Sequence, residues 1–201
     1  MSLAQMLESK GFHELEGYSQ QIPQQVRDLQ GIMDMTLKGT KDTTTRRIME
    51  IGFNAGHSAE IFLQNPHTTV VSFDLGMHDY VSHAKEYIDH HYPHRHTLIL
   101  GDSKDTIRAY IMKKHPPFDI IFIDGDHEYN AARMDMNHCF HLAHKDTIVI
   151  LDDTMYQENW QASWTLGPTK VWKEDLAARR LVELGRNDYC PGRGMSWGKY
   201  L

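Results

Sequence analysis

Five short apolar segments dominate the pattern of hydrophobic and polar positions along the chain. They are rich in β-branched residues and lack simple alternation, which is typical of strands buried on both faces. Their starts are separated by 21, 28, 21 and 29 residues, which leaves room for a helix in each interval. The pattern therefore predicts a parallel sheet of strand–helix units, with strands at Ile48–Phe53, Thr69–Asp74, Thr97–Leu100, Phe118–Asp124 and Thr147–Asp152.

The intervals between these segments have helical periodicity. Apolar positions recur at i, i+3, i+4 and i+7 in Ala84–His91 and again in Met136–Ala143, which is the pattern of a helix with one buried face. Before the first strand, Ile22–Leu37 predicts one or two helices that cover the sheet, and Thr40–Arg47 predicts a polar linker. The first three residues carry no signal and are given no weight.

The tail of the chain has a different pattern. Val171–Arg180 predicts a helix, and Leu181–Leu184 and Met195–Leu201 predict two strands separated by the turn-rich segment Asn187–Gly194. Two closely connected strands after the strand–helix units indicate an antiparallel hairpin added to the parallel sheet. The segment Thr154–Lys170 follows the fifth strand and predicts a loop at the edge of the sheet where ligands bind.

Composition limits the class of protein without changing this picture. A chain of 201 residues with 40% hydrophobic residues and a mean hydropathy of −0.55 fits one globular domain. Two cysteines, Cys139 and Cys190, exclude a disulfide framework. No apolar run has the length of a membrane span, and the N-terminus lacks the pattern of a signal peptide. We therefore expect a cytoplasmic location and no membrane partner.

The net charge of the chain indicates which classes of partner it can bind. The chain carries 21 basic and 27 acidic side chains and has a formal net charge of −6. A protein that binds the phosphate backbone needs a basic face. We therefore expect no nucleic-acid partner.

Polar and glycine residues cluster where the predicted strands end, which is where ligands bind in open α/β sheets. After the first strand, Gly52 and Gly56 permit a tight turn and a close approach to a ligand, and Ser58 can cap the next helix. The dinucleotide fingerprint G-x-G-x-x-G is absent because its second glycine is replaced by Asn54. The turn predicts either a ligand site or a plain strand–helix connection.

The second and third strands also end in polar residues. Asp74 lies 22 residues after Gly52, and a carboxylate at this place can accept the hydroxyls of a ribose. Asp102 and Ser103 follow the third strand and can reach an adenine edge. The alternative for Asp74 is a helix N-cap or a solvated loop. The alternative after the third strand is a helix N-cap, with Ser103 as the cap of the helix that follows it.

Five acidic side chains follow the fourth and fifth strands, where we expect them to converge. Their mutual repulsion and desolvation favour a divalent cation, because magnesium and calcium take oxygen ligands. The alternative is a set of solvated carboxylates at the rim of the sheet. His127 lies within this acidic set, which comprises Asp124, Asp126, Glu128, Asp152 and Asp153.

Taken in order, these motifs resemble the class I S-adenosylmethionine-dependent methyltransferases. Within that class they are most similar to the small metal-dependent O-methyltransferases, namely the catechol, caffeoyl-CoA and macrocin-type sugar enzymes. The resemblance covers Ile48–Thr154 and extends to the hairpin of the tail. It implies a Rossmann-like α/β methyltransferase fold: a seven-stranded, mainly parallel sheet with an antiparallel C-terminal hairpin and helices on both faces.

The resemblance also implies roles for individual residues. The cofactor, S-adenosylmethionine, would contact residues at the ends of the first four predicted strands: Glu50, Gly52, Asn54, Gly56, Ser58, Asp74, Asp102, Ser103 and Asp124. A divalent metal, most simply Mg²⁺, would be held by Asp124, Asp152 and Asp153. The catechol enzymes have a lysine base where this chain has His127, and the macrocin type offers Asp126, so both stay candidates for the catalytic base. Asp152-Asp153 matches the macrocin type rather than the Asp-Asn pair of the catechol enzymes.

The expected function is therefore methyl transfer to a hydroxyl of a small molecule, a sugar or a glycan. Three alternatives stay open: a metal-independent N- or protein methyltransferase, a nicotinamide-dependent oxidoreductase and a non-catalytic cofactor-binding domain. Trp160 and Trp164 are candidates to stack on the acceptor, and the alternative for both is ordinary packing of the loop onto the sheet. A homodimer is left open. The whole chain, 1–201, is expected to form one domain, with a helical cover (1–47), a cofactor-binding core (48–153), a substrate-covering loop (154–170) and a helix with the terminal hairpin (171–201).

Overall fold

A computed structural model describes residues 1–37 and 45–201 of the protein. Residues 40–44 of the predicted polar linker lie outside the described residues, and its last two residues, Arg46 and Arg47, already belong to the first strand. The strands are β1 Arg46–Ile51, β2 Thr68–Asp74, β3 His96–Leu100, β4 Phe118–Ile123, β5 Ala143–Asp152, β6 Leu181–Cys190 and β7 Arg193–Tyr200.

The described strands form one seven-stranded sheet in the order β3-β2-β1-β4-β5-β7-β6. Strands β1 to β5 are parallel, and β7 pairs antiparallel with both β5 and β6. This confirms the predicted parallel sheet with a terminal hairpin. The chain order reverses between β1 and β4, and a ligand crevice opens outside the carboxyl ends of the strands at such a switch point.

Helices cover both faces of the sheet, as predicted. They are α1 Leu3–Ser9, α2 Pro23–Leu37, α3 His57–Leu63, α4 Tyr80–His91, α5 Ser103–Met112, α6 Tyr129–Phe140 and α7 Ser163–Ala177, with short 3₁₀ turns at Ser19–Gln21 and Glu158–Trp160. Helices α1 to α4 pack with one hydrophobic cluster and α5 to α7 with the other. In β1, Ile48 faces the first cluster and Met49 the second, so both sides of the strand are apolar.

Helix α7 begins at Ser163, eight residues before the helix predicted from Val171. The second half of the expected substrate-covering loop 154–170 is therefore helical. Gly167 and Pro168 within α7 resemble helix breakers in the sequence, but tertiary packing overrides that preference. A side-chain carbon at Gly167 would lie 2.1 Å from the carbonyl oxygen of His127, so glycine lets α7 pack closely on the loop that follows β4.

The terminal hairpin is longer than predicted. Strand β6 continues through the polar segment that was expected to be a turn, and the connection is only Pro191-Gly192, where Gly192 has a φ of 77°. The polar residues of β6 have partners on α2: Asn187 and Tyr189 donate hydrogen bonds to Asp28 over 2.7 and 2.8 Å. Their polarity therefore reflects a tie to another element and not a solvated turn.

The first residues of the chain also have a structural role. Ser2 caps α1 by accepting a hydrogen bond from the Gln5 amide over 3.2 Å, and Leu3 is fully buried. Giving these residues no weight was wrong. Helix α1 has only seven residues, about two turns, which are too few to show a clear periodicity. No helix within residues 1–37 and 45–201 combines the length and apolar character that crossing a membrane requires.

Candidate active site

A cavity of about 860 Å³ opens at the carboxyl ends of the parallel strands. Nine of the residues predicted to bind the cofactor, to hold the metal or to act as base line it: Gly52, Asn54, Asp74, Asp102, Ser103, Asp124, Asp126, His127 and Asp153. Four others lie behind its wall, outside the lining: Glu50, Gly56, Ser58 and Asp152. The structure thus brings the ends of β1 to β5 together around one space.

The turn after β1 depends on glycine. Gly52 has a φ of 90°, and a side-chain carbon there would lie 1.9 Å from the carbonyl oxygen of Asp124. Gly56 has a φ of 78° and is the N-cap residue of α3, a place that the sequence suggested for Ser58. Asn54, between them, also has a positive φ, of 49°. This tight turn brings the end of β1 against the end of β4.

Asp74 is held by the backbone at the end of β2. Its Oδ2 accepts a hydrogen bond from the Asn54 amide over 2.8 Å, and its Oδ1 accepts one from the Gly76 amide over 2.7 Å. These bonds fix the carboxylate on the cavity wall. Each carboxylate oxygen keeps further lone-pair capacity for a ligand hydroxyl.

Glu50 forms a buried polar cluster behind the cavity. Both Ser58 and Ser72 donate their hydroxyl hydrogen to its carboxylate, and the Ser72 hydroxyl also lies 2.9 Å from Nε2 of His96. Burial is the main cause that raises the pKa of Glu50 from 4.5 to about 7, and burial lowers the pKa of His96 to about 3. Glu50 and Ser58 therefore hold β1, β2 and α3 together, and direct contact with a cofactor stays a prediction.

The loop after β3 caps α5 with Asp102, and Ser103 is the first helical residue. Asp102 accepts a hydrogen bond from the Lys104 amide over 3.0 Å and pairs with the Lys104 ammonium at 2.7 Å. The expectation that Ser103 is the cap was wrong. Its hydroxyl instead donates to Oδ1 of Asp135, on α6, over 2.8 Å.

Three carboxylates meet at the ends of β4 and β5. Burial, together with the charges of Asp152 and Asp153, raises the pKa of Asp124. Burial and the charge of Asp153 raise the pKa of Asp152 to about 7. The Gln25 amide nitrogen, on α2, donates to both Asp152 oxygens over 2.9 and 2.8 Å. The repulsion expected from the sequence is present, and Asp152 is turned toward α2.

Asp153 lines the cavity, and its backbone has a positive φ of 55°. Its Oδ2 lies 2.8 Å from Nε2 of His127, and its Oδ1 lies 3.9 Å from Nε of Arg193. The hydrogen bond to Asp153 raises the pKa of His127. Asp126 lines the cavity nearby and accepts a hydrogen bond from the Glu128 amide over 2.9 Å.

Some of the side chains at the ends of β4 and β5 are placed to act as ligands of a divalent metal ion. One ligand atom each of Asp124, His127 and Asp153 lies within 4.8 Å of the other two. Oδ1 of Asp153 is buried and has no hydrogen-bond partner among the described residues, although the Arg193 guanidinium lies 3.9 Å away. Such an oxygen fits a ligand of a cation. This group differs from the predicted one by His127 in place of Asp152, because Gln25 engages the Asp152 carboxylate.

Sequence reasoning missed several residues of the cavity. Glu16, Arg193 and Asp135 line it from the N-terminal segment, the terminal hairpin and α6. Of the two tryptophans that the sequence did single out, Trp164 lines the cavity and Trp160 is not part of the lining. The indole N–H of Trp164 donates to the Gly192 carbonyl over 2.9 Å. The aromatic content of the segment indicated Trp164, but no local pattern connects the other three to the strand ends.

A comparison with protein families decides the class. The model of a methyltransferase-domain family matches residues 49–154, which is just over half of the chain. The chain belongs to this methyltransferase family. A comparison of the methyltransferase with curated proteins gives no match. The resemblance of the strand-end motifs to class I methyltransferases is thereby confirmed.

Solved structures of similar fold agree with this class. An O-methyltransferase from Bacillus cereus in complex with SAH has a TM-score of 0.76 and 18% identity, and the match covers 99% of this methyltransferase and 89% of that chain. The O-methyltransferase TomG from Streptomyces achromogenes, in complex with SAM, has a TM-score of 0.71 and 15% identity, with coverages of 98% and 87%. A TDP-rhamnose 3′-O-methyltransferase of calicheamicin biosynthesis has a TM-score of 0.64 and 18% identity, with coverages of 87% and 77%. At these identities the likeness shows the fold alone.

The Glu50 cluster makes the stability of the methyltransferase depend on pH. Because the pKa of Glu50 is about 7 in the folded chain against an ordinary 4.5, the folded state binds this proton more tightly than the unfolded state. The stabilisation is complete below pH 4.5 and is lost as the pH rises toward 7, a change on the order of 3 kcal/mol. We expect Glu50→Gln to reduce the fall in the free energy of unfolding between pH 5 and 8, measured by urea denaturation.

Glu14→Gln is the matched control for this experiment, because Glu14 is exposed. Both variants retain the buried imidazoles of His57 and His96. An equal pH slope in Glu50→Gln and the wild type would contradict the assignment of the buried proton to Glu50.

Proposed function

We propose that the protein transfers the methyl group of S-adenosylmethionine to a hydroxyl oxygen of a small molecule or sugar, with the help of a divalent metal. One observation carries this proposal. A single cavity joins the backbone-held carboxylate of Asp74 to the group formed by Asp124, His127 and Asp153. The names of the similar structures, which are O-methyltransferases, support oxygen as the acceptor atom.

The donor would bind with its ribose at Asp74. The two amide bonds from Asn54 and Gly76 hold the carboxylate in place before the ligand arrives, and such preorganisation lowers the entropic cost of binding. Gly52 lets the ligand approach the backbone between β1 and β4. The acidic cavity also suits a donor that carries a positive sulfonium charge.

The reaction needs alignment and one proton acceptor. The acceptor oxygen attacks the methyl carbon, the carbon–sulfur bond breaks with its electron pair on sulfur, and the acceptor proton passes to a base of the protein. S-adenosylhomocysteine is the other product. Holding donor and acceptor in line is the main contribution of the cavity.

His127 is the favoured base. The hydrogen bond of its Nε2 to Asp153 orients the ring, and in the neutral tautomer that donates through Nε2 the other nitrogen, Nδ1, is free to take a proton. Asp126 is the alternative, but its carboxylate is exposed and accepts the Glu128 amide. An exposed aspartate is a weak base near neutral pH.

Asp124 and Asp153 are the proposed metal ligands. Their carboxylates, including Oδ1 of Asp153, which accepts no hydrogen bond from the described residues, provide the hard oxygen donors that Mg²⁺ prefers. When bound, a divalent ion lowers the pKa of the acceptor hydroxyl and offsets the carboxylate charges. Asp152, also predicted as a ligand, would be the weaker one because Gln25 already occupies it.

A second candidate function is metal-independent methyl transfer. Arg193 places a guanidinium 3.9 Å from Asp153, and its charge opposes the raised pKa values of Asp124 and Asp152. An internal cation can replace part of the charge that a metal would supply. A chelation experiment distinguishes this candidate function from metal-dependent methyl transfer.

The acceptor would lie toward Trp164. A hydrogen bond to the Gly192 carbonyl fixes the indole of Trp164, which lines the cavity. Trp164 is 45% exposed, which suits stacking against the flat face of a ring. The macrocin-like Asp152-Asp153 pair and the similar sugar O-methyltransferase favour a sugar hydroxyl. The single domain of residues 1–201, the homodimer and the cytoplasmic location stay predictions.

Replacing Asp74 tests the donor site. We expect Asp74→Ala to weaken S-adenosylhomocysteine binding about 10-fold or more, because a charge-assisted hydrogen bond is worth about 1.5–3 kcal/mol. Titration calorimetry measures the affinity. Asp79→Ala is the matched control, since Asp79 is exposed and does not line the cavity. Unchanged affinity in Asp74→Ala would remove Asp74 from the donor site.

Replacing His127 tests the base. We expect His127→Ala to lower kcat by about 10²–10⁴-fold while S-adenosylhomocysteine affinity is retained, whereas Asp126→Asn changes kcat little. Turnover is followed as S-adenosylhomocysteine release with a panel of sugar and catechol acceptors. A large loss of kcat in Asp126→Asn with little change in His127→Ala would assign the base to Asp126. Turnover only on amine acceptors would refute methyl transfer to a hydroxyl.

Removing the metal tests its role. We expect chelation to abolish turnover and Mg²⁺ to restore it. Calorimetric Mg²⁺ binding should be lost in Asp153→Ala and kept in Glu128→Ala, whose carboxylate is exposed near the cavity. Full turnover after exhaustive chelation would refute a catalytic metal and favour the metal-independent candidate with Arg193.

A further inference from the structure

Asp135 is a buried carboxylate in the wall of the cavity that the donor chemistry above does not use. It lies in the middle of α6 and is 2% exposed, yet it is part of the cavity lining. Its Oδ1 accepts the hydroxyl hydrogen of Ser103 over 2.8 Å. Its Oδ2 faces Gly125, where a side-chain carbon would lie 3.3 Å away, so the absence of a side chain at Gly125 leaves this oxygen open.

The structure of the protein alone does not account for a charge at this position. A residue in the middle of α6 has no capping role, and no ion pair to Asp135 occurs among the described residues. The nearest lysine of the lining, Lys104, pairs with Asp102 instead. A buried carboxylate with one hydroxyl donor is costly unless a further donor satisfies it.

The surroundings of Asp135 fit a flat, mostly apolar ring with one polar edge. Phe73, Leu75, Ala131 and Met134 line the cavity together with Asp135. Such walls suit the faces of a purine, and a carboxylate oxygen suits a hydrogen-bond donor on its edge. With the donor's ribose at Asp74, the purine would lie on this side of the cavity.

We infer that Oδ2 of Asp135 accepts a hydrogen bond from the exocyclic amine of the donor's adenine, which makes Asp135 a specificity residue for 6-aminopurines. The inference rests on the proposed function. Ser103 keeps the carboxylate in place by its bond to Oδ1. Burial raises the pKa of Asp135 to about 6, so the group is mostly ionised at neutral pH and accepts strongly. A purine with a 6-oxo group would place an acceptor against this oxygen and be rejected.

Two ligands that differ only at the 6-position of the purine test the inference. S-adenosylhomocysteine and its analogue with hydrogen in place of the 6-amino group are titrated into wild type, Asp135→Ala and Asp105→Ala. Asp105 is exposed on the same helix as Ser103 and does not line the cavity. Because both ligands meet the same variant, general damage to the cavity cancels in the ratio of their affinities.

We expect wild type and Asp105→Ala to prefer S-adenosylhomocysteine by about 10- to 100-fold, the range of one charge-assisted hydrogen bond. In Asp135→Ala the preference should fall to less than about 3-fold. A preference that persists in Asp135→Ala, or a wild type that binds both ligands equally, would overturn the inference while leaving the proposed function intact. Failure of the wild type to bind either ligand would refute the proposed donor, and the inference with it.

Discussion

The contact between Gly52 and the Asp124 carbonyl is the constraint on which the site depends. A side-chain carbon at Gly52 would lie 1.9 Å from that oxygen, so only glycine lets the turn after β1 close against the end of β4. The same turn presents the Asn54 amide to Asp74. One backbone approach thus joins the carboxylate at the end of β2 to the acidic cluster at the end of β4.

The second constraint on this cavity is the electrostatic cost of burying several carboxylates together. Asp124 and Asp152 are both held where burial and neighbouring charge raise their pKa values. The Gln25 amide offsets part of this cost at Asp152, and the charge of Arg193 offsets part of it at both carboxyls, while the His127 imidazole bonds to the neighbouring Asp153. These partners come from α2, from the loop after β4 and from the hairpin. The cluster is therefore tuned by elements that surround the parallel sheet as well as by the strands themselves.

The elements outside the parallel core also shape the walls. Gly167 lets α7 pack against the carbonyl of His127, and the turn of the hairpin fixes the Trp164 indole. Tyr189 and Asn187 tie the hairpin to α2 through Asp28. A change in the tail can therefore reach the cavity through packing, although Gly167, Trp164, Asn187 and Tyr189 all lie outside the family-matched segment 49–154.

The parallel core, nine of the predicted site residues that line the cavity and Trp164 were accessible from the order of residues alone. Strands such as Ile48–Phe53 and Thr147–Asp152 were predictable because burial on both faces leaves an apolar run, and the carboxyl ends of parallel strands must share an edge. Boundaries shifted by a few residues, since local patterns fade where strands end. The order of motifs was enough to indicate the methyltransferase class.

The pairing of polar side chains across the fold follows from how the elements pack. Nothing local pairs Gln25 with Asp152, places Arg193 beside Asp153 or turns Asp135 toward Ser103, because these contacts join residues 32 to 127 positions apart. The tertiary structure also decided that Glu50 and Ser58 lie behind the cavity wall and that α7 passes through Gly167 and Pro168. Periodicity reports which face of an element is buried, whereas partners across the fold are set by how the elements pack.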